Sequence, residues 1–154
     1  DEALARVARW SRDNARTPVQ WTAGHAAGFT AGTPWMAVNP NYARVNVEAQ
    51  QRVEGSVLEF YKSLVQLRKN DKYKEALVWG EFEPVRQEQP GLAAFVRAGD
   101  GRRLLIASNL SGKAQRVELP GAAKEVLLCS DGTPGLAGNV LTLAPWQAAV
   151  AELA

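Results

Sequence analysis

The stretch LAAFVRAGDGRRLLIASN, residues 92–109, decides the fold class of this 154-residue chain. Two runs rich in apolar residues, Leu92–Arg97 and Arg103–Asn109, stand on either side of Gly99-Asp100-Gly101. Glycine adopts the positive φ angles of tight hairpin turns without a steric penalty. The spacing therefore predicts two antiparallel strands joined by a short turn.

Short runs of the same kind lie on both sides of this hairpin, with turn residues about every ten positions. Pro120-Gly121 and the segment Asp131–Gly135 are two of these turn signals. Seven short strands with frequent turns are typical of an antiparallel sandwich. Outside the hairpin, the predicted strands are Val78–Pro84, Gln115–Leu119, Glu125–Cys129, Val140–Leu143 and Gln147–Leu153.

The segment Ser56–Lys69, before these strands, has a helical pattern instead. Ser56 followed by Glu59 fits a capping box, in which each side chain accepts a hydrogen bond from a backbone amide of the first turn. Apolar residues recur at the spacing that places them on one helix face. Such a face is expected to be buried against another part of the protein. This face consists of Val57, Phe60, Tyr61, Leu64 and Leu67.

Two shorter helices are predicted nearer the start of the chain, over Glu2–Trp10 and, with Asn46 as its cap, over Val47–Val53. The change from helical to strand patterns falls near residue 72. We therefore expect an α+β fold with two domains, residues 1–72 and residues 73–154.

Composition and charge exclude several classes of protein. Hydrophobic residues at 46% and charged residues at 22% are ordinary for a globular domain, and a net charge of +2 without a basic stripe argues against nucleic acid as a partner. No apolar stretch approaches the ~20 residues of a membrane span. The single Cys129 and single His25 predict no disulfide, metal or cofactor. The opening residues, DEAL, suggest that the chain begins inside a longer product.

The densest polar segment is SRDNARTPVQW, residues 11–21. Arg12 and Arg16, with an aspartate and an asparagine between them, can form a network of guanidinium and carboxylate hydrogen bonds. Nearby tryptophans offer flat faces for sugar rings, so the pattern suits a polyhydroxylated ligand. The alternative interpretation is that Asp13 pairs with Arg16 and only holds the loop closed. The non-periodic segment Thr17–Tyr42 follows, and a loop of that length in a compact domain is usually functional.

SRDNARTPVQW, then AGFTAGTPWMAVNPNY at 27–42 and the helix SVLEFYKSLVQLRK at 56–69, resemble the C-terminal third of α-glucosidases and oligo-1,6-glucosidases of the α-amylase superfamily, glycoside hydrolase family thirteen. The tail, with NLS at 109–111 and APWQ at 144–147, resembles the C-terminal β-domain of that family. The resemblance implies that residues 1–72 are the remnant of the end of a (β/α)₈ barrel and that residues 73–154 form an antiparallel β-sandwich.

The resemblance also implies a retaining mechanism, with a carboxylate nucleophile and a carboxylic acid/base about 5–5.5 Å apart. In the family these acids precede the arginine-rich segment, so we expect no catalytic residue in this chain and no activity from it alone. By position, Arg12 corresponds to the arginine that binds the terminal glucose in the first sugar subsite. Arg16 is the rival candidate, with a structural ion pair as its alternative role.

The expected partners are an α-glucoside oligosaccharide, the rest of the catalytic barrel and a second copy of the chain bound through the apolar face of the Ser56–Lys69 helix. A cytoplasmic location is expected. Two alternatives come from other functional classes: an independent carbohydrate-binding module, and a protein-interaction domain with an adhesive helix face.

A few other residues admit a functional and a structural interpretation. Asn109-Leu110-Ser111 fits a glycosylation sequon, but it also stands where a strand ends in a turn. Trp79 and Trp146 could form one sugar-binding platform, although aromatic residues in strands usually fill cores. Cys129 is expected to be a buried small residue, and His25 a solvated one.

Overall fold

The computed structural model describes residues 2–10, 15–86 and 88–154. The chain divides into two compact units, Asp1–Glu59 and Phe60–Ala154. The predicted domain boundary between residues 72 and 73 stays a prediction. Within the described ranges, every helix is too short or too polar to cross a bilayer.

The first unit contains the helices α1, Glu2–Trp10, and α2, Val47–Gln50, together with 3₁₀ turns at His25–Gly28 and Pro40–Ala43. The predicted cap of α2 is confirmed, because the Asn46 side chain accepts a hydrogen bond from the Ala49 amide at 2.8 Å. The helix is shorter than the predicted Val47–Val53. Gln51 already has an extended ψ of 127°, which ends the helix there.

The third helix, α3, spans Val57–Lys69 as predicted. Only half of the predicted capping box forms. The Ser56 hydroxyl accepts a hydrogen bond from the Glu59 amide at 3.3 Å, but the Glu59 carboxylate accepts one from the Arg52 amide at 3.0 Å instead of from Ser56. The reciprocal bond is replaced because the Ser56 amide donates to the Val53 carbonyl.

The prediction of a strand from Val78 to Pro84 is wrong in its first half. Residues Glu75–Trp79 form a short π-helix, and strand β1 spans only Glu81–Pro84. Gly80 lets the chain leave the π-helix in close contact with the backbone of Ala76 and Ala98. A Cβ atom at this position would lie 2.4 Å from the Ala76 carbonyl oxygen and 2.5 Å from that of Ala98.

The remaining strands form an antiparallel sandwich of two sheets. The strands after β1 are β2 Leu92–Gly99, β3 Arg102–Asn109, β4 Gln115–Glu118, β5 Ala123–Cys129, β6 Gly135–Ala137, β7 Val140–Leu143 and β8 Ala148–Leu153. One sheet has the order β1-β2-β3-β8-β5 and the other the order β4-β7-β6. The predicted hairpin is confirmed: Gly99 pairs with Arg102, and Asp100 and Gly101 have φ angles of 51° and 68°.

The main core lies between the two sheets, on the strand positions that alternate inward. It contains Val96, Leu105 and Ala107 of the large sheet against Val117, Leu141 and Leu143 of the small one. A second cluster covers the other face of the large sheet, where Tyr73 and Ala76 pack on Leu104. This second cluster also takes in Leu67 and Leu77, and so attaches the end of α3 to the β-domain.

Candidate functional site

The arginine-rich segment is described only from Ala15 onward. Arg12 and Asp13 lie outside the described residues, so the predicted sugar-binding role of Arg12 and the alternative Asp13–Arg16 pair stay predictions. Arg16 is exposed. It occupies the start of a loop that is ordered by hydrogen bonds although it contains little regular structure.

Gln20 and Trp21 connect this loop to the start of α2. The Gln20 carbonyl accepts a hydrogen bond from the Val47 amide, and the Trp21 carbonyl accepts one from the Glu48 amide, each at 2.9 Å. The Gln20 side-chain amide donates to Asn41 Oδ1 at 2.9 Å and also to the Val45 carbonyl. The end of the SRDNARTPVQW motif is therefore held at a defined position relative to α2.

A left-handed turn at Ala26, Ala27 and Gly28 holds the next part of the loop. The Ala27 carbonyl accepts hydrogen bonds from the amides of Trp21 and Thr22, at 2.8 and 3.0 Å. The φ angles of 46° and 56° at the two alanines are unusual, and such a conformation costs about 1–2 kcal/mol for a residue with a Cβ. Backbone strain of this kind is concentrated at functional segments.

Among the described residues of the first unit, three aromatic side chains are exposed to solvent. They are Trp21, Phe29 and Trp35, the last with 76% of its surface accessible. They stand on the same loop as the arginine motif and offer flat apolar faces, as the sequence pattern predicts for a site that binds polyhydroxylated ligands.

The two remaining single residues, His25 and Cys129, have little potential for chemistry. His25 is exposed, as predicted. Cys129 is only partly buried, contrary to the prediction, and its Sγ lies 3.3 Å from the Asp131 carbonyl oxygen. Across residues 2–10, 15–86 and 88–154, no three histidine, cysteine, aspartate or glutamate side chains come together in a way that could hold a metal ion.

Trp79 and Trp146 do not fill the core. They are 74% and 70% exposed, because Trp79 ends the π-helix and Trp146 lies in the turn before β8, so neither is in a strand. They also cannot form one platform. Trp79 lies near the Gly99 end of β2 and Trp146 near the opposite end of the sheet, where its amide donates to the Ser111 carbonyl. A strand of eight residues separates these ends by about 23 Å.

Asn109 has a structural role that excludes glycosylation of the folded chain. It is only 1% exposed. Its Nδ2 donates at 2.7 Å to the carbonyls of Lys113 and Ala144, and its Oδ1 accepts from the Ser111 hydroxyl at 2.7 Å. The side chain thus hydrogen-bonds to groups in two different loops. The turn interpretation of the NLS motif is confirmed.

A charged cluster that the sequence analysis missed surrounds Glu152 in β8. This glutamate is 3% exposed, and its carboxylate lies 2.8 Å from Arg102, 3.3 Å from Lys72 and 3.7 Å from Lys124. The hydroxyl of Tyr73 donates to it at 3.3 Å. A glutamate within the otherwise apolar run AAVAEL was the available sequence signal, since a buried charge requires partners.

The pKa values of this cluster reflect both burial and pairing. Burial raises the pKa of Glu152, but hydrogen bonds from Lys72 and Arg102 and their positive charges outweigh it, so the net pKa lies below the ordinary 4.5. The hydrogen bond with the Tyr73 hydroxyl is the main reason why the pKa of Lys72 is raised above 10.5, with a further contribution from Glu152. Both groups are charged at neutral pH.

The Tyr73 hydroxyl oxygen lies 3.3 Å from a carboxylate oxygen of Glu125 and 3.3 Å from one of Glu152, so the two carboxylates share its single proton. They do not form a glycosidase pair. A general acid needs a raised pKa and access to the substrate, whereas Glu152 is buried, has a lowered pKa and is already paired with cations. The cluster stabilises the junction between the segment after α3 and the sheet.

Two family models match successive parts of the chain. A model of the alpha-amylase catalytic domain matches residues 1–80, which is more than half of the chain, and a model of the C-terminal domain of the alpha-amylase SusG matches residues 92–150. Together they place the chain among the glycoside hydrolases. The chain belongs to the α-amylase family, glycoside hydrolase family thirteen. The resemblance is confirmed, and so is the fold class: helices and a loop from the end of a (β/α)₈ barrel, followed by an antiparallel β-sandwich.

Individual relatives agree with this assignment. The chain is 35% identical to the oligo-1,6-glucosidase of Parageobacillus thermoglucosidasius, over 99% of this chain and 27% of the relative. It is 43% identical to the trehalose-6-phosphate hydrolase of Escherichia coli K12, over 75% and 20%. The crystal structure of the trehalulose synthase MutB from Pseudomonas mesoacidophila MX-45 superposes with a TM-score of 0.90 at 34% identity, over 99% of this chain and 28% of that one. The chain therefore spans about a quarter of the length of these relatives.

Proposed function

We propose that this chain is the C-terminal part of a retaining α-glucosidase-like glycoside hydrolase that acts on the α-glucosidic bonds of oligosaccharides. The observation that carries the proposal is the order of the two family matches, a catalytic-domain segment followed directly by a C-terminal domain. The named activities of the relatives, which include oligo-1,6-glucosidase and glucan 1,6-alpha-glucosidase, support the class of substrate.

In this proposal the β-domain acts as a buttress for the barrel. The end of α3 and the following π-helix lie within the catalytic-domain match, and they pack on the β-sheet through Leu67, Tyr73 and Ala76. Lys72 adds a charged contact to Glu152. These apolar and ionic contacts would hold the end of the last barrel helix in place.

The chain supplies substrate-binding groups in this proposal and no catalytic carboxylate. Arg12 would orient the terminal glucose in the first sugar subsite, because a planar guanidinium can hold a carboxylate and a sugar hydroxyl at the same time. Arg16 is the second candidate. Its exposed position at the start of an ordered loop agrees with either a binding or a supporting role.

The inactivity of the isolated chain can be tested directly. Without the nucleophile and the acid/base, it should show no turnover of an aryl α-glucoside, maltose or isomaltose, since loss of paired catalytic groups removes orders of magnitude in rate. An inert protein purified through the same columns is the control. Turnover that copurifies with the chain through two different columns would contradict the proposal.

A matched pair of variants tests the arginines in an enzyme that contains this sequence. Arg12→Lys should lower kcat/KM by about tenfold or more, because one ammonium cannot reproduce two parallel hydrogen bonds, each worth about 1.5–3 kcal/mol when charged. Arg16→Lys should mainly lower the melting temperature. Wild-type kinetics for a folded Arg12→Lys enzyme would remove Arg12 from the subsite.

A second function, carbohydrate binding by the β-domain itself, is favoured by one specific observation. Trp146 is highly exposed on this domain although its position in the sequence suggested a core residue.

A further inference from the structure

The turn at residues 144–147 holds Trp146 in a backbone conformation and at a surface position that are both unfavourable for the stability of the fold. The residue has a φ angle of 61°, in the region that favours glycine, and 70% of its surface is exposed. Among the described residues other than glycine with a positive φ, it is the one aromatic. A bulky side chain in this region is strained, and an exposed indole gives up the favourable burial of its apolar surface. Such a combination points to a function other than packing.

Two buried amide side chains hold this turn rigidly. Gln147 Oε1 accepts a hydrogen bond from the Ala144 amide at 2.8 Å, and Asn109 Nδ2 donates to the Ala144 carbonyl at 2.7 Å. The Trp146 amide itself donates to the Ser111 carbonyl at 3.2 Å. The indole is therefore presented from a fixed base and would lose little conformational entropy when a ligand binds.

The neighbouring loop adds a second exposed apolar group. Leu110, directly before Ser111, is 63% exposed. Gln115 Nε2 lies 3.3 Å from the Ser111 hydroxyl and 3.1 Å from the Pro90 carbonyl. Gly91 lets the two loops approach, since a Cβ atom there would lie 3.2 Å from that of Ser111. Leu110 and Trp146 therefore lie on adjoining turns, and the Ser111 hydroxyl and the Gln115 side-chain amide beside them are hydrogen-bonded within the protein.

This surface matches a sugar ring better than it matches a protein. A pyranose has an apolar C–H face that can lie on an indole, and hydroxyls at its edge that reach polar neighbours. A stable protein interface buries about 1,200–2,000 Å² in total, far more than one indole and one leucine provide.

We propose that Trp146 and Leu110 form a binding site on the β-domain for a glucose unit of an α-glucan chain. The class of ligand rests on the proposed function, because an α-glucosidase encounters such chains as substrates. In this site the indole supplies the stacking face and Leu110 extends it.

The test is affinity electrophoresis of the full 154-residue chain in gels that contain dextran or soluble starch, with melting temperatures measured in parallel. The wild-type chain should be retarded by at least one of the two polysaccharides. Trp146→Gly should raise the dissociation constant obtained from the retardation by about tenfold or more, because the stacked apolar area is lost. Its melting temperature should stay equal or rise, because glycine relieves the left-handed strain.

Trp79→Ala is the matched control, since it removes an equally exposed indole at the other end of the sheet and should leave retardation unchanged. Trp146→Tyr should recover part of the affinity. The site is overturned by a wild-type chain that neither gel retards, by equal retardation of Trp146→Gly, or by loss of retardation in Trp79→Ala to the same extent. The kinetics of the Arg12 variant are independent of these results. Failure of this binding site can therefore be distinguished from failure of the proposed function.

Discussion

At the scale of single residues, Glu152 links three separate parts of the second unit. Its carboxylate contacts Arg102 on the neighbouring strand β3, Lys124 on β5 and Lys72 in the segment after α3. A buried carboxylate without partners would destabilise the fold, so the three cations are required once the glutamate is present. The cluster therefore holds the segment after α3 in place against the β-sheet and has no catalytic role.

Glu152→Gln should lower the free energy of unfolding by about 1.5–3 kcal/mol at pH 7, the range for hydrogen bonds to charged groups. The folded-state pKa of Glu152 lies below 4.5. Its contribution is thus present above pH 4.5 and lost as the pH falls through the folded-state value, so the difference between wild type and variant should shrink in acid. Urea unfolding at pH 7 and at about pH 3 measures this.

Glu125→Gln is the control for this prediction, because the Glu125 carboxylate lies 3.6 Å from Lys72 but is 55% exposed. An exposed ion pair contributes only about 0–1 kcal/mol, so this variant should remain close to wild type. Equal destabilisation by the two substitutions, or a Glu152→Gln difference independent of pH, would contradict the assigned role of Glu152.

At the scale of elements, the features predicted correctly from the sequence are those set by nearby residues. The hairpin at residues 99–102 follows from its glycines, the length of α3 from its periodicity, and the start of α2 from the side chain of Asn46. In each case the stabilising contact lies within a few positions along the chain, where a pattern is readable.

Elements that depend on distant contacts were not predictable. The π-helix at Glu75–Trp79 exists because Gly80 fits against the Ala98 carbonyl and because Arg97 donates to the carbonyls of Ala76 and Val78. Strand β6, Gly135–Ala137, was missed because it has only three residues, begins with a glycine that follows a proline, and has no buried position. Pairing with β7 makes it a strand, which local propensity does not indicate.

The candidate site shows the same distinction. Arg12 and Arg16 were assigned from a motif and its resemblance to a family, which requires no knowledge of distant contacts. For Trp146 the sequence favoured a core position over a sugar platform, because aromatic residues in strands usually fill cores. Its left-handed turn depends on Asn109, which is far away in sequence. Exposure of that kind follows from tertiary structure alone.

At the scale of the whole molecule, the apolar surface of α3 separates into two stripes. Phe60, Leu64 and Leu67 are partly buried, and the last two line a cavity of about 470 Å³ beside the β-sheet. The second stripe consists of Val57, Tyr61 and Val65, which are 65%, 61% and 45% exposed. The β-domain therefore covers only part of the helix face that the sequence predicts to be packed.

We expect the exposed stripe to mediate weak self-association of the chain. Full burial of an apolar side chain of this size is worth about 1.5–3 kcal/mol, so pairing two copies of the stripe offers a substantial gross gain, which the loss of translational freedom offsets in part. Sedimentation from micromolar to hundreds of micromolar should show a monomer–dimer equilibrium. Tyr61→Glu should shift it to monomer, whereas Gln66→Glu, which adds the same charge at an exposed position off the stripe, should leave it unchanged. A monomer at every concentration, with no binding of an apolar dye, would mean that packing within one chain suffices.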